Sequence, residues 1–502
     1  MYKGLQLIIS FLLLLPRIGI SQTPFISIKS VPGFKADDIA TSSFDSVSNI
    51  YHLNLQNGNK IYRKIYDSSF NLLSEYSFTS GEITFSEKVS PKANFISPLC
   101  TSKGYFEIFF INSDNGILVY KPDFAKKKDS LFAEINFEWI KKGGEKLLSI
   151  MPDFDGLKIL TYSNELNALK IYQWFPGDSI KTFSFTLPEK SLSKEEEKIY
   201  AKECRIKFRS LWDHQLVSAK INSIQSLPKG NNIFYSKNRI YILFPIPYSM
   251  GIYILSIDLD KKELTAHNYF INSLKDNAGD NIYIKKNMVS MVFDSTLVIQ
   301  NSSYLRFEYL FFNINTHELL KKYSIPVEDS IYLLVHSNLA QKGTYGSRDE
   351  EKEIKNEKKI MRKTSGSFSF MNLSSKDQDS AVFTLATLKF NPGVAGTILM
   401  AATFPISPGI AITHIGNLQD IPYLTSSRCK LLYAHSLFNI KTLEPSKDSS
   451  VTTALDKILD TFAMRELGSN SSFFVQKNDG TLIGILNKER TLFDIFRFQN
   501  TR

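Results

Sequence analysis

The chain has 502 residues, of which 43% are hydrophobic and 13% aromatic, so it can bury a large core and is not disordered as a whole. The formal net charge is +10, but the lysines are scattered along turn-like segments without a nucleic-acid-binding motif, which argues against nucleic acid as a partner. The three cysteines, Cys100, Cys204 and Cys429, are too widely spaced for a Cys-x-x-Cys motif and too few for a disulfide-built scaffold.

The first residues have the pattern of a secretory signal peptide. Lys3 precedes an apolar run at 7–15, and small residues follow at Gly19 and Ser21. We therefore predict a signal peptide over 1–21 and a mature chain over 22–502. The apolar run is too short to span a membrane, and no later window approaches about eighteen apolar residues. The sequence thus predicts an exported protein without a transmembrane anchor, located in the periplasm, at the cell surface or outside the cell.

From Ile39 onward, short runs of branched and aromatic residues alternate with Asn, Asp, Ser, Gly and Lys. Branched and aromatic side chains suit the pleated surface of a sheet, and the interrupting residues tolerate tight turns, so the pattern predicts a mainly β fold. The plan of strand, polar turn and strand is clearest in four segments, 61–78, 106–120, 254–270 and 310–325.

Three segments interrupt this rhythm. Charged insertions are predicted near 191–209, as a short helix, and near 347–363, as a loop or solvated helix. An amphipathic helix is predicted at 449–468, where one apolar stripe recurs at helical spacing and Gly468 is placed to end the helix. The stripe consists of Leu455, Ile458, Leu459, Phe462 and Leu467.

The spacing of the turns indicates repeated modules. The clearest turns fall near Asp67, Asp114, Gly177, Asp260, Asn315, Lys376 and Asp479. Modules of about 40 to 60 residues would place about seven in the mature chain. In this cadence the sequence resembles the β-propeller repeats of exported bacterial proteins. The recurring Gly-His and Trp-Asp pairs of WD40 blades are absent.

This resemblance implies one domain over 22–502, a ring of about seven four-stranded units with one C-terminal amphipathic helix. It also implies that the two ends of the chain share a blade, which we predict to happen through pairing of 44–55 near 472–498. A row of tandem β-sandwich domains remains the alternative, although no linker rich in Pro, Gly or Ser divides the chain.

A search for chemical motifs finds no nucleophile elbow, zinc-protease helix, phosphate-binding loop or dinucleotide fingerprint, so no catalytic residue is assigned and no cofactor is expected except calcium. The seven histidines are well separated, and each is expected in a turn or a satisfied core position. Two acidic turns beside glycine could supply oxygen ligands for calcium. The calcium candidates are Asp153, Asp155, Asp276 and Asp280.

These features favour an exported binding or scaffold protein that presents loops of a β-propeller-like fold to a protein or glycan partner. The alternative is a propeller-based glycan or peptide hydrolase with an acidic central site. A surface adhesin made of tandem sandwiches is a third hypothesis.

Overall fold

A computed structural model describes residues 24–499 outside several segments, the longest of which are 188–213, 219–230, 271–287, 354–367, 391–428 and 462–471. The predicted signal peptide and the predicted insertion at 191–209 lie outside the described residues. In the described part of the chain, no helix is long and apolar enough to cross a membrane.

The described strands form seven sheets of four or five strands and one small two-stranded sheet. We number the larger sheets as blades 1 to 7 in chain order. Blade 1 contains β2 (Ile39–Asp45), β3 (Ile50–Asn57), β4 (Lys60–Tyr66) and β5 (Leu72–Thr79). The small sheet follows, with β6 (Thr84–Phe85) and β7 (Lys88–Val89). Blade 2 contains β8 (Ala93–Thr101), β9 (Gly104–Ile111), β10 (Gly116–Asp123) and β11 (Lys128–Asn136).

The next three blades repeat this plan. Blade 3 contains β12 (Glu145–Asp153), β13 (Gly156–Ser163), β14 (Ala168–Trp174) and β15 (Lys181–Thr186). Blade 4 contains β16 (His214–Ser218), β17 (Asn231–Ser236), β18 (Arg239–Ile246), β19 (Gly251–Asp258) and β20 (Glu263–Phe270), with β16 parallel to β17. Blade 5 contains β21 (Met288–Phe293), β22 (Thr296–Ser302), β23 (Arg306–Asn313) and β24 (Leu319–Pro326).

Blade 6 takes its outer strands from a preceding segment. A 3-10 helix (Ile331–Leu333) leads to β25 (Ala340–Gly343) and β26 (Lys352–Glu353), which lie outside β29 (Cys429–Asn439), β28 (Ser380–Phe390) and β27 (Phe368–Ser375). Within the insertion predicted at 347–363, the structure describes only β26. These two residues are therefore paired in a sheet rather than in a loop or helix, because their backbone groups bond to β25.

Blade 7 joins the two ends of the chain. It contains β30 (Ser472–Lys477), β31 (Gly480–Leu486) and β32 (Leu492–Gln499), and β1 (Ile26–Lys29) completes it by pairing antiparallel with β32. The prediction that the chain ends share a blade is confirmed, but the predicted strand was wrong. Residues 44–55 belong to β2 and β3 of blade 1, where each strand already has neighbours within its own sheet.

Along much of the chain, an edge strand of one blade contacts an edge strand of the next blade. Contacts join β30 to β2, β2 to β8, β8 to β12, β12 to β16 and β21 to β27, and β21 also contacts β17 and β18. The blades follow one another in sequence, have four or five strands, and are antiparallel apart from the β16–β17 pair. Together with the blade shared by both ends of the chain, they define a β-propeller with seven blades among the described residues. The fold class predicted from the sequence is confirmed, and the tandem-sandwich alternative is wrong.

Apolar side chains fill the spaces between adjacent blades. One cluster joins blades 7 and 1, a second joins blades 2 and 3, a third joins blades 3 and 4, and a large one spans blades 4 to 6. Blades 3, 4 and 5 therefore bury apolar residues on both faces of their sheets. All residues of β13 in blade 3 are buried, as expected for a strand covered on both faces.

Candidate functional site

In blade 4 the β17–β18 turn lies beside the β19–β20 turn, and in blade 5 the β21–β22 turn lies beside the β23–β24 turn. In blade 4, Leu259 N donates a hydrogen bond to Asn238 O at 2.8 Å, and in blade 5, Ile314 N donates to Ser295 O at 2.9 Å. We call this end of the propeller the hairpin face.

An Asp or Asn side chain fixes the turn that follows β4, β10, β19, β23 and β29, in blades 1, 2, 4, 5 and 6. In blade 4, Asp258 Oδ1 accepts hydrogen bonds from the backbone N–H groups of Asp260 at 3.1 Å and Lys261 at 3.0 Å. Such bonds satisfy turn amides locally and hold the backbone in a bend. The equivalent acceptors in the other four blades are Asp67, Asp123, Asn313 and Asn439.

Each of these turns also contains a residue in the left-handed backbone region. These residues are Phe70 (φ 64°), Lys127 (φ 50°), Lys262 (φ 55°), His317 (φ 63°) and Leu443 (φ 59°). Four of the turns place an apolar side chain in the core, namely Phe70, Leu259, Ile314 and Leu443. The turns are therefore fixed from both sides, by hydrogen bonds at the surface and by apolar contacts below, while their tips remain exposed.

The sequence carried a signal for these turns that the search for known blade signatures missed. An Asp or Asn is followed by an apolar residue and, four positions after that, by Glu in three blades. The three segments are 258–264 (DLDKKEL), 313–319 (NINTHEL) and 439–445 (NIKTLEP). Aligning the turns rather than the strands would have revealed the repeat, because the turn conformation restricts residue type more strongly than the strands do.

A second polar centre is buried between blades 1 and 2. Arg63 of β4 forms an ion pair with Glu107 of β9, and both side chains are fully buried. Arg63 Nε donates to Asn54 Oδ1 at 3.1 Å and Nη1 to the Tyr76 hydroxyl at 2.9 Å, while the Tyr105 hydroxyl donates to Glu107 Oε1 at 2.9 Å. The surrounding bonds compensate for removing both charges from water. Because the ion pair is completely buried, it connects the two blades and is closed to a ligand.

His52 lies in the same centre, with its ring stacked on Tyr105 at a centroid distance of 3.9 Å. Burial, and to a smaller extent the positive charge of Arg63, lower the pKa of His52 from 6.5 to about 3. In the unfolded chain the His52 side chain binds a proton near pH 6.5, whereas in the folded chain the side chain remains neutral at that pH. The contribution of His52 to stability is therefore complete above pH 6.5 and is lost as the pH falls toward 3.

We predict that His52→Phe reduces the acid sensitivity of folding. Between pH 7.5 and 4, wild type should lose about 3 kcal/mol more unfolding free energy than the variant, because only wild type must keep a buried imidazole neutral. Urea unfolding at several pH values measures this difference. Parallel pH profiles for the two proteins would contradict it.

A third polar centre ties helix α1 (Ala454–Thr461) to blade 6. Thr384 Oγ1 lies 2.8 Å from His435 Nδ1, and His435 Nε2 lies 2.9 Å from Asp456 Oδ1. Because the carboxylate can only accept, Nε2 carries the proton and Nδ1 accepts from Thr384. Hydroxyl, imidazole and carboxylate follow the order of a hydrolase triad, but Thr384 is only 3% exposed, so this hydroxyl is closed to a substrate.

The same helix also contacts β32 of blade 7, so the third centre connects the last two blades. Thr453 caps the helix: its Oγ1 accepts from Asp456 N at 3.2 Å, and Asp456 Oδ2 accepts from Thr453 N at 2.6 Å. The predicted C-terminal helix is confirmed over Ala454–Thr461. It begins later than the predicted residue 449, because Thr453 supplies the cap, and 462–468 lie outside the described residues.

Replacing Asp456 with asparagine should weaken folding by about 1 to 3 kcal/mol at pH 7, because a charged acceptor shared by His435 and Thr453 is lost. Burial alone would raise the pKa of Asp456, but the hydrogen bond and charge of His435, with the bonds from Thr453, lower it overall. The carboxylate's contribution is therefore lost as the pH falls through this lowered pKa, and the two proteins should converge in strong acid.

Urea unfolding at pH 7 measures the effect of Asp456→Asn. The control is Asp67→Asn in an exposed hairpin turn, where asparagine can accept the same backbone bonds and the change should stay within about 1 kcal/mol. Equal losses in the two variants would contradict the assigned role of Asp456.

The four predicted calcium ligands are only partly placed. Asp153 is the last residue of β12 and pairs with Gly156 across the blade 3 hairpin. Asp155, Asp276 and Asp280 lie outside the described residues. In the described part of the chain, no group of three or more His, Cys, Asp or Glu could hold a metal ion. The calcium assignment therefore stays a prediction, and a melting temperature that is the same with calcium and with chelator would contradict it.

Four described histidines lie in the turn or core positions expected of them, whereas His267 lies half-buried in strand β20. His52, His336 and His435 are buried, and His317 lies in a hairpin turn. The structure also brings His317 of blade 5 against His267 of blade 4, with ring centroids 3.7 Å apart. The sequence could not indicate this pair, because it forms between turns and strands of different blades.

Comparison with known proteins adds no family to this picture. No protein-family model matches the sequence, and no curated protein matches it significantly. Among solved structures, the chain is similar to Sqt1 of Saccharomyces cerevisiae, with 9% identity, coverage of 96% of this chain and 100% of that chain, and a TM-score of 0.33. A member of the duf4221 family from Bacteroides vulgatus has 14% identity, coverage of 81% and 91%, and a TM-score of 0.34.

The Nup133 β-propeller domain of Vanderwaltozyma polyspora is also similar, with 11% identity, coverage of 58% of this chain and 76% of that chain, and a TM-score of 0.30. Similarity at this level says nothing about ligands or activity. The assignment to the β-propeller class rests on the sheets of this chain.

Proposed function

We propose that this chain is an exported binding or scaffold protein that presents the hairpin face of its propeller to a protein or glycan partner. The signal-peptide pattern at 1–21 supports export, and the location would be periplasmic, at the cell surface or extracellular. The observation that carries the proposal is the repeated construction of the hairpin turns, which expose their tips on a fixed backbone.

Fixed turns favour binding for an energetic reason. A flexible loop loses conformational entropy when a partner orders it, which reduces the affinity obtained from the same contacts. Side-chain bonds from Asp67, Asp258 and Asn313 order these turns before any partner arrives. The tips carry mixed charges, including Lys126, whose side chain is 80% exposed. Such a surface suits polar and charged groups on a protein or glycan.

The proposal is tested by comparing variants of the two ends of the propeller. The double variant Lys126→Glu and Lys261→Glu changes the hairpin face. The matched control, Lys60→Glu and Lys488→Glu, makes the same charge change at exposed lysines beside turns between second and third strands. The mature chain 22–502 and both variants are used to capture components of the native cell envelope, read out by mass spectrometry and glycan analysis.

We expect a component that wild type and the control retain but the hairpin-face variant loses. Retention by all three proteins would contradict binding through the hairpin face. Failure of wild type to retain any protein or glycan would contradict the binding function itself. Thermal unfolding of each variant checks that the propeller is intact.

A further inference from the structure

The junction of blades 4 and 5 at the hairpin face is made largely by aromatic and polar side chains. His317 of the blade 5 turn stacks on His267 of β20, with an interplanar angle of 8°, and its Nδ1 lies 3.0 Å from the Tyr269 hydroxyl. Arg239 Nη1 also donates to Asn315 Oδ1 at 2.7 Å. The blade 5 turn is thus held against blade 4 by three side chains of its neighbour.

Two stacked imidazoles at this distance tolerate one proton more readily than two. The second proton would place like charges face to face, which opposes stacking. Burial lowers the pKa of His267, and the neighbouring His317 lowers it further. The parallel rings direct their nitrogen lone pairs side by side rather than toward a common point, so the pair is poorly arranged to chelate a metal ion.

Three of the acidic groups around the junction have partners other than the two histidines. Asp258 pairs with Arg239 at 3.5 Å, Asp260 accepts from Asn238, and Glu318 accepts from Thr316 at 3.0 Å. The other titratable groups on the packed elements include Tyr241, Tyr253, Lys261, Lys262, Glu263, Tyr269, Asp294, Lys321, Lys322 and Tyr323.

We propose that His267 and His317 form a pH-sensitive contact that holds the blade 5 hairpin turn against blade 4 at neutral pH and releases it in mild acid. Release is local, because Tyr269 packs on Phe312 and the apolar cluster spanning blades 4 to 6 contains no histidine among its described members. The contact would make one part of the hairpin face responsive to acid. The response of this contact to pH is measured on the protein alone, so its failure would leave the binding proposal unaffected.

Hydrogen exchange of the mature chain at pH 7.5 and 5.0, corrected for the intrinsic effect of pH on exchange, tests this contact. The reporters are Asn313 N, bonded to Glu318 O at 2.9 Å, and His317 N, bonded to Asn313 O at 2.8 Å. The blade 6 turn is an internal control without histidine, since Asn439 N bonds to Glu444 O at 2.9 Å and Leu443 N to Asn439 O at 2.8 Å.

We expect protection of the blade 5 reporters to fall about tenfold in acid relative to the blade 6 reporters, because protonation weakens the stacked contact. His267→Phe keeps a ring for stacking and removes the titration, so it should abolish the difference. Equal responses of the two turns in wild type would overturn the proposal. So would an undiminished response in the variant.

Discussion

Replacing Glu107 with glutamine is expected to destabilise the protein by about 3 to 5 kcal/mol, because the buried guanidinium of Arg63 then faces a neutral amide between blades 1 and 2. Both side chains are fully buried, so water cannot replace the lost charge. Urea unfolding at pH 7 measures the loss.

The matched control is Lys126→Met, which removes an ion pair with Asp123 at 3.2 Å on the exposed hairpin face. This change should cost less than about 1 kcal/mol, because solvent screens the pair. The double variant Arg63→Met and Glu107→Leu should recover part of the loss, since no unpaired charge remains buried. A loss in Glu107→Gln no larger than that in Lys126→Met would contradict the attachment of blades 1 and 2 by this pair.

Gly156→Ala is expected to cost about 3 kcal/mol or more, at the upper end of the range for overpacking. A Cβ at this position would lie 2.2 Å from the carbonyl oxygen of Trp174 and 2.9 Å from Cδ1 of Phe175. The first of these atoms belongs to the backbone of the adjacent strand, so it cannot move without disturbing β14. Thermal or urea unfolding measures the effect.

Gly33→Ala is the control for this substitution. Its Cβ would have no heavy atom closer than 3.9 Å, although the positive φ of 75° causes strain of about 1 to 2 kcal/mol. A loss in Gly156→Ala no greater than in Gly33→Ala would show that blade 3 accommodates the methyl group.

The close contacts at Gly156 explain by packing why the Asp-Phe-Asp-Gly segment contains a glycine. This explanation requires no calcium.

Local sequence patterns predicted the hairpins well. In 254–270, the structure buries Ile254, Leu255 and Ile257 and places Lys261 and Lys262 in an exposed turn, as predicted. These features follow from side-chain alternation and turn chemistry within one segment, which a sequence displays directly. The fold class could be predicted for the same reason, since many such hairpins in one chain suit few architectures.

The contacts between blades could not be predicted in this way. Arg63 and Glu107 are 44 residues apart, and His435 and Asp456 belong to different elements. Nothing in the local sequence indicates which buried polar residue will face which, because pairing depends on how the blades stack. The closing strand was missed for a related reason. The segment 26–29 is short and begins two residues after Pro24, so it has little strand pattern of its own. It is ordered by pairing with β32.

The construction of the propeller separates its structural residues from those available to a partner. The buried Arg63–Glu107 pair connects blades 1 and 2, and the buried His435 holds the helix through Asp456, whereas the hairpin tips project from fixed turns into solvent. Variation at the tips would therefore alter recognition with little effect on folding. This division is consistent with a scaffold whose specificity resides in its turns.

Pairing of β1 with β32 closes the ring, and a disulfide test measures this closure directly. Ser27 and Asp494 are register partners, with Ser27 Oγ donating to Asp494 Oδ1 at 2.5 Å. In a background lacking Cys100, Cys204 and Cys429, oxidised Ser27→Cys and Asp494→Cys should form an intrachain disulfide, seen by mass spectrometry. The control pair Ser27→Cys and Lys488→Cys should remain reduced. Absence of the first disulfide, or equal formation of both, would contradict a propeller closed by its N-terminal strand.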